Sequence, residues 1–170
     1  MVKLSLMKTG SLLPNGYNSP TYGKVDWDEV LKKMIDFMGK DVTGSYEVII
    51  GTDSEAVNGT ADFVSALIVH KKGRGGIYFW GRQKVENLNS MRQRIWHEAL
   101  VSLALAQKLV EEFNSRGLFD LNLGIHVDIG PNGETRKMIS EIVGMIRANG
   151  FKVSTKPSSW GASTVADRHV

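Results

Sequence analysis

The sequence predicts an α/β protein: a five-stranded mixed sheet, three antiparallel strands followed by parallel ones, with helices on both faces. Three observations predict it. Three apolar, β-branched runs between residues 47 and 83 are joined by short glycine-bearing segments. Two later apolar runs, at 121–128 and 151–155, each follow a stretch of helical periodicity. Of the 170 residues, 42% are hydrophobic and 23% charged, the balance of one globular domain able to bury a sizeable core.

Taken in order, Met1 to Lys24 carries Gly10, Pro14, Asn15, Gly16, Asn18, Pro20 and Gly23 and is expected to be an irregular arm. Asp26 caps the first helix, with Glu29 at capping-box spacing. Val30, Met34 and Met38 recur every fourth residue beside Leu31 and Ile35, and Gly39 marks the stop. Residues 1–40 are therefore assigned to an arm plus an amphipathic helix, and residues 45–170 to a single globular unit. Glu47–Thr52, Phe63–His70 and Ile77–Gln83 form an antiparallel meander, the last two joined by the turn Lys71–Gly76. Gly73-Arg74-Gly75-Gly76 lacks the Gly-Lys-Ser/Thr ending of a phosphate loop and is read as that turn. Ser90 caps a long helix that keeps its apolar spacing to Ser115 and stops at Arg116-Gly117. Leu121–Asp128 is a strand, Glu134–Ala148 an amphipathic helix, Phe151–Thr155 a fifth strand, and Ala162–Arg168 a short last helix.

Several classes drop out. With no cysteine there is no disulfide scaffold and no thiolate metal site. No apolar run approaches the ~20 residues that span a bilayer, and Lys3 and Lys8 break the Met1–Gly10 stretch as a secretory signal. A cytoplasmic protein with no membrane partner is expected. Net charge is +3, which permits a polyanionic partner without demanding one.

Four acids punctuate the elements. Asp53 follows the first strand of the meander, Glu98 lies in the long helix, Asp128 ends the fourth strand, and Asp167 sits in the last short element. Sites in such sheets form outside the carboxyl ends of central strands. If the first and fourth strands are parallel neighbours, Asp53 and Asp128 emerge side by side. Carboxylates at close range repel unless a cation neutralises them, and hard oxygen donors select Mg²⁺ or Mn²⁺. An Asp at a strand end also serves as a turn former or helix cap. Residues 98, 102, 105 and 109 share one helical face, so Glu98 meets the sheet if Leu105 and Leu109 do.

The element order and the four acids resemble the ribonuclease-H-like fold. The strings IIGTDSE (Ile49–Glu55), RIWHEAL (Arg94–Leu100), IHVDIGPNGET (Ile125–Thr135) and GFKVSTKPSSWGASTVADRH (Gly150–His169) resemble the YkuK family, a bacterial family predicted to be ribonuclease-H-like nucleases. The resemblance runs from about Val48 to His169. It implies a two-metal phosphodiesterase whose catalytic and metal-binding acids fall on Asp53, Glu98, Asp128 and Asp167, with Mg²⁺ or Mn²⁺ as cofactor and RNA, DNA or a hybrid as substrate.

Other residues carry two readings each. His126 shares a strand face with Asp128, so it either lines the site as a proton shuttle or packs as a core histidine. His169 is either a shuttle beside Asp167 or a tail residue. His97-Glu98 has the start of a zinc-protease motif, but Val101 stands where the second ligand belongs. The loop Gly130–Gly133 is either a phosphate-meeting helix approach or a plain connection. Arg94, Lys156 and Arg168 are expected at a nucleic-acid backbone and Trp160 against a base; Trp80 and Trp96 are expected to pack. The alternative to a nuclease is a non-catalytic module on the same fold that binds nucleic acid or a protein.

Overall fold

The computed structural model describes residues 11–170; the expectations for Met1–Gly10 lie outside the described residues. Among the described residues seven strands form one sheet in the order β2-β1-β5-β4-β3-β6-β7. They are β1 (Tyr17–Ser19), β2 (Gly23–Val25), β3 (Tyr46–Val57), β4 (Thr60–Lys71), β5 (Gly76–Glu86), β6 (Leu123–His126) and β7 (Lys152–Ser154). The five expected strands are β3 to β7. The two additional ones come from the arm. There Tyr17 and Ser19 alternate inward, Gly23 turns the chain at φ +74, and Asn18 pairs with Trp80 on the open edge of β5. A three-residue alternation is too short to stand out among so many breakers.

β3, β4 and β5 pair antiparallel, and β6 and β7 then join in parallel. The β3–β4 turn is Asn58-Gly59, both at positive φ, the two-residue hairpin geometry that Asn-Gly favours. That turn carries β3 past its expected end, so Asp53 lies within the strand rather than after it.

The described residues also form three α-helices: α1 (Trp27–Gly39), α2 (Met91–Ser115) and α3 (Ile139–Ala148). Asp26 and Ser90 cap the first two through reciprocal capping boxes with Glu29 and Gln93. A 3₁₀ turn, Glu134–Met138, replaces the expected start of α3. The three α-helices share one face, and the expected last helix, a short helical segment from Gly161, lies on the other. Val30 and Met34 of α1, Leu105 and Leu109 of α2, and Ile142 and Ile146 of α3 join one apolar cluster with Val48, Ile50, Leu67 and Phe79 of the sheet. The reason is topological. β5, β6 and β7 run the same way, and both crossovers step in the same direction along the sheet, so crossovers of one hand put α2 and α3 on the same face.

The opposite face has a smaller cluster: Ile49, Val64, Ala66, Ile68 and Ala166. Its cover is the C-terminal segment, a π-helical stretch Gly161–Ala166 and a 3₁₀ turn Asp167–His169. Two glycines permit the close approach. A Cβ at Gly51 would stand 2.7 Å from the Ala162 nitrogen, and one at Gly161 would stand 2.7 Å from Ile49 Cγ2. Among the described residues no helix is long and apolar enough to cross a membrane.

Candidate active site

The parallel register of β3 and β6 pairs Gly51 with His126. Two residues further along each strand, Asp53 and Asp128 leave the sheet on the same face, because side chains alternate with a period of two. Asp53 belongs to the face of Ile49 and Gly51, and Asp128 follows His126, whose ring meets the C-terminal segment.

Asp167 arrives from across that face. The C-terminal turn is held on β5 by three contacts. The His169 ring stacks on Trp80 at 4.4 Å, its Nε2 lies 3.0 Å from the Tyr78 hydroxyl, and its carbonyl accepts a 2.5 Å hydrogen bond from Arg82. At the other end of the segment, the Gly161 N–H donates to His126 Nδ1 at 3.0 Å. Between these anchors Asp167 comes near enough to Asp53 to raise the pKa of the Asp53 carboxyl.

Glu98 comes from the helical face. Leu105 and Leu109 are fully buried, and Glu98 meets the sheet with them, as the helical phase requires. Ser54 Oγ donates to Glu98 Oε1 at 2.5 Å, and one turn later Ser102 Oγ donates to Thr52 Oγ1 at 2.8 Å. A helical turn of four residues rises ~6 Å and two strand residues span ~6.6 Å, so these steps match. Thr52 in turn lies 3.0 Å from Ser65 Oγ on β4. This buried hydroxyl ladder fixes the height of Glu98 at the end of the sheet. Arg94, a turn earlier, donates to the Ser54 carbonyl and hydroxyl at 3.1 and 3.3 Å.

The acids perturb one another. Burial pushes the Asp53 carboxyl up to about 6; the Asp167 carboxyl and the Asp128 charge add to the rise, and the Ser54 backbone hydrogen bond opposes it. Burial pushes Glu98 up to about 8, with the Asp53 and Asp128 charges raising it further while the Ser54 hydroxyl and the Arg94 charge oppose it. Asp128 has its Oδ1 buried and without a hydrogen bond, while the Lys156 ammonium lies 3.2 Å away as an ion pair. Asp53 therefore lies within electrostatic reach of Asp128, Asp167 and Glu98, and Glu98 within reach of Asp53 and Asp128. Among the described residues, however, no three His, Asp or Glu side chains stand as a ready metal-chelating group.

The other expected residues divide. Lys156 is at the site, on Asp128. Arg94 is half-buried and bonds to the Ser54 carbonyl and hydroxyl. Trp160 is 38% exposed and sits edge-on to His70 and His126, at 5.8 and 5.5 Å. Arg168 is exposed beside Asp167. The two histidines each make a contact that anchors the C-terminal segment: His126 Nδ1 accepts from Gly161, and His169 Nε2 pairs with Tyr78. Burial lowers the pKa of both rings. Trp80 and Trp96 pack, as expected. Sequence reasoning missed Ser54, Arg82 and the Gly51–Gly161 contact. The string Ile49–Glu55 contains Gly51 and Ser54, but only the depth of the C-terminal segment explains the glycine.

Comparisons with known proteins agree with this architecture. The chain is 29% identical over 160 residues to the uncharacterized protein YkuK of Bacillus subtilis (strain 168), covering 85% of this chain and 91% of that relative. No solved structure gives a significant match. The family model described as ribonuclease H-like matches residues 29–170, from α1 to the C-terminal turn that carries Asp167. With its mixed sheet and the acids that gather at one end of it, the chain belongs to the ribonuclease H-like family.

Proposed function

We propose that the protein is a divalent-metal-dependent nuclease that hydrolyses phosphodiester bonds in RNA, DNA or a hybrid. The observation that supports it is the convergence of Asp53, Asp128, Asp167 and Glu98 from four separate elements, with two of the carboxyls held well above their ordinary range. Burial is the main cause and repulsion among the acids adds to it, and a bound cation offsets both. The donor chemistry suits Mg²⁺ or Mn²⁺, and the buried Asp128 Oδ1, which makes no hydrogen bond and only an ion pair with Lys156 at 3.2 Å, is an oxygen that such an ion would satisfy.

Asp53 and Asp128 would hold the metal, with Asp167 and Glu98 completing the set after modest side-chain rotation. Divalent ions bound there supply the charge that activates water and stabilises the leaving oxygen of a phosphodiester. The protein's own contribution is placement. Ser54 orients Glu98, and the β5 clamp on His169 delivers Asp167. The exposed Arg168 and Trp160 offer a phosphate contact and a stacking surface at the rim.

Purified protein incubated with labelled RNA, DNA and hybrid duplexes should cleave at least one of them with Mg²⁺ or Mn²⁺ and not with EDTA. Asp53→Asn should lower the rate by more than about 100-fold. Equal cleavage by that variant excludes this site. The Lys156–Asp128 ion pair favours a second reading, in which the site is neutralised internally and the protein binds nucleic acid without cleaving it. That reading expects salt-sensitive binding that survives Asp53→Asn and needs no divalent ion.

A further inference from the structure

Among the described residues, Lys156 is the only cation in ion-pair contact with any of the four acids. Its place is built by the fold. The Lys156 N–H donates to the Ile129 carbonyl at 2.9 Å, which pins residue 156 beside the strand end that carries Asp128. The aliphatic stem then crosses Gly130. A Cβ there would stand 3.3 Å from Lys156 Cβ and 3.4 Å from its Cδ, so the glycine opens the track along which the stem lies. The far end is held less firmly. The ammonium lies 3.2 Å from Asp128 Oδ1 as an ion pair but makes no hydrogen bond to it, and the lysine side chain is 52% exposed.

We propose that Lys156 is a tethered countercharge that competes with the divalent ion for Asp128. With the site empty of metal, the ammonium offsets the repulsion among the acids. When the ion binds, the side chain swings outward along the Gly130 track, and its charge becomes available to a phosphate at the rim. This inference rests on the metal-centre reading above, and it explains how an acid set can be kept intact between binding events. A side chain with one end fixed and the other exposed can exchange places with an ion at little conformational cost.

Mn²⁺ binding to the full chain, followed by electron paramagnetic resonance or calorimetry without nucleic acid, tests it. Removing the competitor in Lys156→Gln should tighten Mn²⁺ binding by about three- to tenfold, the size of a partly exposed charge interaction with a doubly charged ion. Lys156→Arg should stay within about twofold of wild type. Gly130→Ala, which crowds the stem, should move affinity in the same direction as Lys156→Gln but less. Circular dichroism verifies that each variant is folded. If Asp53→Asn abolishes Mn²⁺ binding while Lys156→Gln binds as the wild type does, or more weakly, the competition is wrong and the metal centre stands. If neither wild type nor Lys156→Gln binds Mn²⁺, or if Asp53→Asn binds unchanged, the metal-centre reading fails and the competition falls with it.

Discussion

The two faces of the sheet are covered in different ways. On one, three helices bury Val48, Ile50, Leu67 and Phe79 in a cluster that extends to α3. On the other, a ten-residue stretch from Gly161 to Val170 covers Ile49, Val64, Ala66 and Ile68, with Tyr78 and Trp80 at its margin. The first face carries the stability of the fold. The second holds Asp167, an acid of the proposed site, near Asp53 by a few specific contacts. Separating the tasks allows the position of one acid to be set without disturbing the core. The sharpest test is a cavity on the helical face. Phe79→Ala removes a fully buried ring and should cost about 3–5 kcal/mol in a denaturant titration, with the whole domain unfolding earlier.

A crowding substitution on the other face should separate stability from activity. Gly51→Ala would place a methyl 2.7 Å from the Ala162 nitrogen and 2.8 Å from its Cα, so backbone must move. The cost to stability should be about 1–3 kcal/mol, because the helical core is untouched. Cleavage should fall much further, since the displaced segment carries Asp167. A Gly51→Ala protein that loses as much stability as Phe79→Ala would show that the two faces form one cooperative unit.

The acids tie stability to pH, and the sign follows from the raised carboxyls. Below its ordinary value near 4.5 Glu98 is protonated whether the chain is folded or not. Between that value and about 8 the folded protein keeps a proton that the unfolded chain has released. Stability should therefore fall as pH rises through this window, with Asp53 adding its share between its ordinary value near 3.8 and about 6. Glu98→Gln removes the charge and keeps a group able to accept from Ser54. It should flatten the upper part of the slope and raise stability at pH 8 by more than about 1 kcal/mol. Thermal melts of both proteins from pH 5 to 9 check this. A constant difference across that range would mean that Glu98 is ionised throughout.

Much of this was legible in the chain. Asp26 with Glu29, and Ser90 with its helical stripe, gave the helix starts because capping is local chemistry. The phase of Glu98 relative to Leu105 and Leu109 was readable for the same reason: a helix repeats within a few residues. What escaped depended on distant partners. The arm reads as irregular until the open edge of β5 gives Asn18 something to pair with. Helices were expected on both faces, and a short C-terminal helical segment does cover the second; that all three α-helices share the first follows from strand order, which local patterns do not encode. Within the site, the four acids stood out by element position, whereas Ser54 did not, since a serine next to an aspartate carries no signal until Glu98 is seen to reach it.

The smallest expected effect concerns the clamp on the C-terminal turn. Tyr78→Phe deletes only the hydroxyl that meets His169 Nε2 and leaves the Trp80 stack and the Arg82 hydrogen bond in place. A single partly buried hydrogen bond contributes about 0.5–1.5 kcal/mol, so global stability should fall by no more than that. Hydrogen exchange should show the loss as local. The amides of residues 161–169 should exchange faster, and those of α2 should remain as protected as before. If exchange rises equally in α2, the C-terminal segment opens only with the whole domain, and Asp167 is placed by global folding rather than by the contacts on β5.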